Sequence, residues 1–159
     1  MNIKINRLET GECAVLRQFL YHAIFVPKDG RPPDPAVLDT PELQVYLDGF
    51  GSSPDDIAVA LRQNGDIIGA AWARVMDDYG HLYDGVPSLA ISLLPEYRGM
   101  GLGKRLLSGL LDELRKTGHS MVTLAVQKEN YAAYGLYTRL GFKTVGENDE
   151  EYLMLKDII

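Results

Sequence analysis

Hydrophobic and polar residues alternate at the start of the chain, where NIKINRL (2–8) has the pattern of a half-buried β-strand. Thr10 and Glu12 then predict the start of a helix. One face of that helix carries Cys13, Leu16, Leu20, Ala23 and Ile24. Prolines and a glycine break the pattern over residues 27–41, which predicts a loop around at most one short helix. PELQVYLDGF (41–50) predicts a second helix with its proline in the first turn.

The clearest local pattern lies in the middle of the chain. DIAVALRQNGDIIGAAWARVM (56–76) contains two β-prone runs joined by Asn64 and Gly65, a pair that favours a tight hairpin. SLAISLL (88–94) is a continuous apolar run, which predicts a buried strand. A segment rich in glycine then leads into a helix that we expect to end near Gly118. Its predicted buried face carries Leu106, Leu107, Leu110, Leu111 and Leu114.

The remaining residues predict three more strands and one more helix. MVTLAV (121–126) has the composition of a buried strand, and NYAAYGLYTRLG (130–141) that of a short helix. FKTVG (142–146) and EYLMLKD (151–157) predict a closing hairpin. Without repeats or a second hydrophobic unit, the pattern predicts a single α/β domain over residues 1–159, with a mixed sheet flanked by helices.

Composition limits the function. The chain has 159 residues, 46% of them apolar, a formal net charge of −6 and a pI near 5.0. This charge argues against general binding to nucleic acid or to an anionic membrane surface. The single cysteine, Cys13, forms no internal disulfide, and nothing near it resembles a metal-ligand cluster, so we expect no metal. The absence of a signal-like start or a long apolar run predicts a cytoplasmic protein.

The segment LLPEYRGMGLGKRLL (93–107) spaces its glycines as an anion-binding loop does. A dinucleotide fingerprint needs glycine where Lys104 stands, and a P-loop needs glycine where Arg98 stands. Both motifs fail, which disfavours a nucleotide-binding domain of another class. The pattern that remains is Arg98-x-x-Gly101-x-Gly103 between a strand and a helix. A plain strand-to-helix turn with solvated basic residues is the alternative explanation.

This pattern resembles the pyrophosphate loop of the GNAT superfamily of acetyl-CoA-dependent N-acetyltransferases. A second stretch resembles the same family in the expected order, and it reads Asn130-x-x-Ala133-x-x-Leu136-Tyr137-x-Arg139-x-Gly141-Phe142. The resemblance covers about residues 56–156, and the N-terminal helices are less diagnostic. It implies a strongly twisted mixed sheet whose two central parallel strands, 88–94 and 121–126, splay apart.

The resemblance also implies a site for acetyl-CoA as cosubstrate. The loop residues that it assigns to the pyrophosphate are Arg98, Gly99, Met100, Gly101, Leu102, Gly103 and Lys104. Main-chain groups around Leu93 are expected to pair with the pantetheine arm, and a nearby N–H to bind the thioester oxygen. Asn130 is expected to cap its helix and to contact the same arm.

Tyr137 is the residue that the resemblance assigns to chemistry. A phenol of pKa about 10 can protonate a leaving thiolate, whose thiol has a pKa of about 8.5. Tyr137 also falls on the apolar stripe of its helix, so an ordinary core position is the alternative. His81 is the candidate general base because its ordinary pKa suits proton transfer near neutral pH. Asp77, Asp78 and Asp84 are further candidates by position only, and an ordinary loop role is open for all four.

The predicted function is direct transfer of an acetyl group from acetyl-CoA to a primary amine in a ternary complex. The alternative is a non-catalytic acyl-CoA binding module. Two aromatic-rich segments are candidates for an acceptor pocket or for simple helix packing, and they contain Tyr21, His22, Phe25, Tyr46 and Phe50. The acidic run GENDEE (146–151) favours a cationic acceptor, although such runs are also typical of solvated turns. Family members are often homodimers, but no interface is visible in the sequence.

Overall fold

The predicted strands assemble into one seven-stranded sheet, in a computed structural model that describes residues 2–76 and 83–159. Its strand order is β1-β2-β3-β4-β5-β7-β6. The strands are β1 (Ile3–Arg7), β2 (Ile57–Gln63), β3 (Asp66–Arg74), β4 (Ser88–Leu93), β5 (Met121–Gln127), β6 (Lys143–Glu147) and β7 (Glu151–Asp157). The mixed sheet flanked by helices confirms the predicted fold class.

The strand pairings explain how the sheet opens in its middle. β2 and β3 form the predicted hairpin, in which Asn64 and Gly65 take φ angles of 50° and 91°. These positive values are those of a two-residue hairpin turn that follows the twist of the strands. β4 and β5 run parallel, and their ladder contains a single pair, Ser88 with Thr123. Beyond that pair the two central strands diverge, which confirms the predicted splay.

Helices cover both faces of the sheet. The helices are α1 (Leu16–Ala23), α2 (Pro41–Gln44), α3 (Leu102–Lys116) and α4 (Tyr131–Arg139). The leucine face of α3 packs with β2, β4 and β5 in one core cluster, which Tyr137 of α4 also joins. On the opposite face, Leu16, Phe19 and Leu20 of α1 pack with Trp72 in a second cluster. No helix in the described ranges has the length and apolar character needed to cross a bilayer.

Two predictions for the N-terminal third differ from the structure. The first helix begins at Leu16 after a 3₁₀ turn over Thr10–Val15, and Cys13 in that turn is half-buried instead of lying in the core. The second helix ends at Gln44 instead of continuing to residue 50. Its expected continuation forms turns because carbonyl groups there accept hydrogen bonds from β3 side chains. Trp72 donates to Tyr46 O at 3.1 Å, and Arg74 donates to Asp48 O at 2.7 Å.

Candidate active site

The divergence of β4 from β5 leaves part of one strand edge open. Leu94 N–H donates to Ile68 O of the β3 side at 2.9 Å, which fixes the alternation of hydrogen bonds between these antiparallel strands. By this alternation the main-chain groups of Ile91 and Leu93 face β5. In the described part of the chain, the β4–β5 ladder does not extend to either residue. The open edge supports the expected role of main-chain groups around Leu93.

A cleft of about 380 Å³ lies where the strands separate. Its β-sheet floor comes from both central strands, and its other walls come from both flanking layers and from the β6–β7 turn. We call the residues on the α1 and α2 side the acceptor wall, which consists of Leu20, Ala23, Ile24, Phe25, Pro33, Val37, Leu43 and Tyr46. The other lining residues are Leu89, Ala90, Ile91, Leu124, Ala125, Val126, Gln127, Asn130, Tyr137, Glu150 and Glu151.

The glycine loop, residues 98–101, carries β4 into α3. Gly99 and Gly101 have φ angles of 76° and 77°, which only glycine adopts without strain. Gly101 is the N-cap of α3, and no side chain caps this helix end. The first N–H groups of a helix have no partners within the helix, and the helix dipole favours an anion beside them. The loop therefore has the geometry of an anion site at a helix N-terminus.

Gly103 in the first turn of α3 has no packing reason to be glycine. A Cβ atom there would meet Leu136 Cδ2 at 3.4 Å, an ordinary contact distance. Glycine nevertheless costs a helix about 1 kcal/mol relative to alanine. The bare backbone at this position is consistent with close approach of a ligand. Leu102 differs from its neighbours because its side chain is buried, so only its main chain faces the loop.

Three of the four side chains that the resemblance assigns to the pyrophosphate site, those of Arg98, Met100 and Lys104, lie on the exposed surface. Met100 is 51% exposed, and Lys104 is exposed at the start of α3. Arg98 is also exposed, and its Nη2 donates a hydrogen bond to His22 O at 3.0 Å. This bond ties the glycine loop to the end of α1. Partial burial of the His22 ring lowers its pKa, and the nearby charge of Arg98 lowers it further. His22 is not among the residues that line the cleft.

Tyr137 projects from α4 into the lining of the cleft. Its ring packs 5.8 Å from that of Phe142, and the residue is 8% exposed. Burial raises the pKa of Tyr137 to about 12, so the phenol keeps its proton at any physiological pH. Among the described residues its hydroxyl has no hydrogen-bond partner. The hydroxyl oxygen keeps accessible surface in the cleft, so it is available to a ligand there.

Asn130 sits at the start of α4 and also lines the cleft. Its side-chain oxygen accepts from Ala133 N at 3.3 Å, which confirms the predicted N-cap. The cap fixes the start of α4 and therefore the direction from which Tyr137 approaches the cleft. The expected contact of Asn130 with the cofactor arm stays a prediction.

The predicted candidates for a general base are not brought together in the described residues. His81, Asp77 and Asp78 lie outside the described ranges, and Asp84 is exposed and does not line the cleft. Ser92, inside β4, donates to Phe19 O at 2.6 Å and thereby fastens α1 to the sheet. Its hydroxyl is therefore occupied by a structural bond.

The acceptor wall contains part of the aromatic set that the sequence proposed. Phe25 and Tyr46 line the cleft, whereas Tyr21 donates to Pro33 O at 2.6 Å and Phe50 packs 5.3 Å from the Arg74 guanidinium carbon. Sequence reasoning missed Val37 and Leu43 as cleft residues. Val37 lies in a 3₁₀ turn of the proline-broken segment, and Leu43 lies in α2. No periodic pattern marks them, because each reaches the cleft from a short element.

Three comparisons with known proteins bear on this arrangement. Residues 22–142, more than half of the chain, match the model of the Acetyltransferase (GNAT) family. Mycothiol acetyltransferase of Thermobifida fusca is 35% identical over 124 residues, which cover 76% of this chain and 38% of that protein. The ribosomal protein bS18-alanine N-acetyltransferase of Escherichia coli is 39% identical over 82 residues, which cover 52% of this chain and 51% of that protein.

The chain thus spans about half or less of the curated relatives that it matches. Among solved structures, the PaiA N-acetyltransferase of Thermoplasma acidophilum in complex with coenzyme A has a TM-score of 0.71 and 18% identity. That match covers 99% of each of the two chains, and at this identity it shows a shared fold. Together with the family match over residues 22–142, these findings show that the chain belongs to the GNAT family of acetyltransferases.

Proposed function

We propose that the protein transfers an acetyl group from acetyl-CoA to a primary amine, with both substrates bound at once. One observation carries the proposal. A single cleft contains the open main-chain edge of β4 and the unpartnered hydroxyl of Tyr137, and the start of α3 follows β4 after a 3₁₀ turn and the glycine loop. These features support an anion site, a strand-like groove and a proton donor for acetyl-CoA.

The described residues fit acetyl-CoA. The glycine loop and the first N–H groups of α3 would hold the pyrophosphate, with Lys104 adding positive charge. The main-chain groups of Ile91 and Leu93 would pair with the amide groups of the pantetheine arm. Bound there, the thioester supplies an activated acetyl group. The coenzyme A complex solved for the PaiA N-acetyltransferase, which shares the fold, supports this assignment.

In the proposed reaction, the amine nitrogen forms a bond to the acetyl carbon and the carbon–sulfur bond breaks. The electron pair of that bond leaves on sulfur. Tyr137 then donates its phenolic proton, or a hydrogen bond, to the departing thiolate. Because burial raises the pKa of Tyr137 to about 12, the phenol stays protonated as a hydrogen-bond donor. It is a weaker acid than a solvated phenol, which favours a hydrogen bond to the thiolate over full proton transfer. The amine gives up its own proton to a base or to water, and His81 stays the predicted candidate for that base.

The unpartnered hydroxyl of Tyr137 favours catalysis over the alternative of a non-catalytic acyl-CoA binding module. A module that only binds acetyl-CoA has no need for a proton donor that lines the cleft. The curated relatives also support an enzyme, since both are named for transfer of an acetyl group.

Two assays of the purified protein test the proposal. Calorimetry should show binding of acetyl-CoA and of coenzyme A, but not of ATP or NAD. A thiol-detecting assay should then show release of coenzyme A only when an amine is added. Tight binding of acetyl-CoA without amine-dependent release across a broad amine panel would favour the binding module. Absence of acetyl-CoA binding would overturn the proposal.

A further inference from the structure

The charged residues that line the cleft have one sign. Glu150 and Glu151 both line it, and no lysine, arginine or histidine of the described residues does. Both acidic residues belong to the β6–β7 turn and the start of β7. The turn has a defined shape, because Asn148 Oδ1 accepts hydrogen bonds from the N–H groups of Glu150 and Glu151 at 3.0 and 2.8 Å. These bonds fix the backbone of the turn and therefore the positions beside the cleft from which both glutamate side chains extend.

Strand alternation places Glu151 on the α1 side of the sheet. The hydroxyl groups of Ser88 and Thr123 lie 2.9 Å apart on that face of the central strands. Gln127 follows Thr123 on β5 by an even number of residues and so shares its face. Glu151 is the cross-strand partner of Gln127 and therefore points the same way. Its carboxylate thus belongs to the side of the cleft formed by the acceptor wall.

The acceptor wall itself is apolar. Its members include Ile24, Phe25, Pro33, Val37 and Leu43, together with the aromatic ring of Tyr46. Binding of an apolar ligand group to such a surface is favourable because it removes apolar area from water. A strongly polar ligand would lose hydrogen bonds to water without replacing them.

A second observation is that one hydroxyl group in the cleft has no partner within the protein. Tyr137 is 8% exposed, lines the cleft, and has no hydrogen-bond partner for its hydroxyl among the described residues. The carboxylates favour a ligand with positive charge at one end, and the acceptor wall favours an apolar body on that ligand.

We propose that the acceptor is a cationic primary amine carried on an apolar group and without a carboxylate beside the amine. This inference rests on the proposed function and names the substrate class for the same site. Glu150 and Glu151 would attract the protonated amine, and the acceptor wall would bury its apolar part. A carboxylate next to the amine would face the same two acidic residues, and no basic residue among the described lining residues would balance it.

Three amines test this inference by coenzyme A release. 2-Phenylethylamine has the charge and the apolar group, phenylalanine adds only a carboxylate, and ethanolamine lacks the apolar group. We expect kcat/KM for 2-phenylethylamine to exceed that for each of the other two by at least about tenfold, the effect of one well-placed charge or one buried apolar group.

A pair of variants assigns the preference to the cleft. In the double variant Glu150→Gln and Glu151→Gln, KM for 2-phenylethylamine should rise by about tenfold. KM for phenylalanine should change little, and the affinity for acetyl-CoA should stay unchanged. Asp149→Asn removes the same kind of charge from the same turn at a residue that does not line the cleft. Asp149→Asn should leave KM for 2-phenylethylamine and KM for phenylalanine unchanged.

The outcomes separate the two proposals. Equal or better use of phenylalanine, or an equal effect of Asp149→Asn, overturns the acceptor assignment and leaves the proposed function standing. Absence of turnover with all three amines, in a protein that binds acetyl-CoA, also overturns the acceptor assignment. Absence of acetyl-CoA binding overturns the proposed function itself.

Discussion

The glycine-loop side of the cleft is built from long regular elements, whereas the acceptor wall is built largely from short turns held by side-chain hydrogen bonds. On the first side, β4 leads directly into the fifteen residues of α3, whose leucines fill the larger core. On the second side, α2 has four residues and is preceded by a proline-broken loop. One side takes its shape from periodic packing, and the other takes it from a few long-range contacts.

Those long-range contacts converge on Arg74 of β3. Its guanidinium donates to Val45 O at 3.2 Å and to Asp48 O at 2.7 Å, next to the Tyr46 position of the acceptor wall. The same group forms a two-pronged ion pair with Asp56, whose side chain is 2% exposed. Asp56 in turn accepts a hydrogen bond from Gly51 N at 2.9 Å. The acceptor wall therefore depends on a buried polar network, and the glycine-loop side does not.

The largest effect is expected where the two sides meet. Tyr137→Phe keeps the ring that packs on Phe142 and removes the hydroxyl, so kcat should fall by about 10²-fold or more with little change in acetyl-CoA affinity. Tyr134→Phe on the same helix is the matched control, because its hydroxyl lies 3.1 Å from Thr144 Oγ1 outside the cleft. Unchanged kcat in Tyr137→Phe under chemistry-limited turnover would refute the acid role.

The next effect concerns stability and the acceptor wall. Asp56→Ala leaves the Arg74 guanidinium buried without its ion-pair partner, so the free energy of unfolding should fall by about 3 kcal/mol. KM for the amine should rise more than KM for acetyl-CoA. Asp39→Ala breaks an exposed ion pair, in which the side chains of Asp39 and Arg17 are 66% and 46% exposed. This variant should lower the free energy of unfolding by less than about 1 kcal/mol. Urea unfolding measures both, and equal losses would contradict the buried network.

A smaller effect is expected in the glycine loop. Gly101 has a φ angle of 77° with open space around it, so Gly101→Ala adds strain of about 1–2 kcal/mol without a clash. Acetyl-CoA affinity should fall by about tenfold, because the strain is relieved when the loop leaves its anion-binding shape. Gly11→Ala is the control, since Gly11 has open space and no positive φ. Calorimetry compares the two, and equal affinities would speak against the anion site.

The smallest effect is a pH dependence of the same phenol. Because burial favours the neutral form, the folded chain keeps the Tyr137 proton while pH rises from the ordinary pKa of 10.0 toward about 12. The stability that comes from this proton is complete below pH 10 and is lost as pH approaches 12. The difference between the ultraviolet titrations of the wild type and Tyr137→Phe reports the ionisation of Tyr137. This ionisation should occur near pH 12, above the ordinary tyrosine pKa of 10.0. Ionisation near pH 10 would mean that the phenol is solvated.

Most of the sheet and the glycine-loop side could be predicted from the sequence. Alternating and continuous apolar runs marked the strands, Asn64 and Gly65 marked the hairpin, and the spacing of Arg98, Gly101 and Gly103 marked the loop. These features are local, so the sequence carries them within one short window. The N-cap role of Asn130 was predictable for the same reason.

The acceptor wall could not be predicted in the same way. The pattern over residues 41–50 has helical character, but hydrogen bonds from Trp72 and Arg74, far along the chain, hold the segment after Gln44 in turns. The position of Glu151 beside the cleft depends on its pairing with Gln127 across the sheet. Such placements arise from tertiary contacts between residues that are distant in sequence, and local propensity does not encode them.

Hydrogen exchange along β4, measured by NMR with and without acetyl-CoA, tests the central claim most directly. Alternate amides of this strand face β3 and the open edge, so Ser92 and Leu94 are internal controls for Ile91 and Leu93. If the open edge holds the arm of acetyl-CoA, exchange at Ile91 and Leu93 slows on binding, while exchange at Ser92 and Leu94 changes little. Bound acetyl-CoA with unchanged exchange at Ile91 and Leu93 would contradict the account.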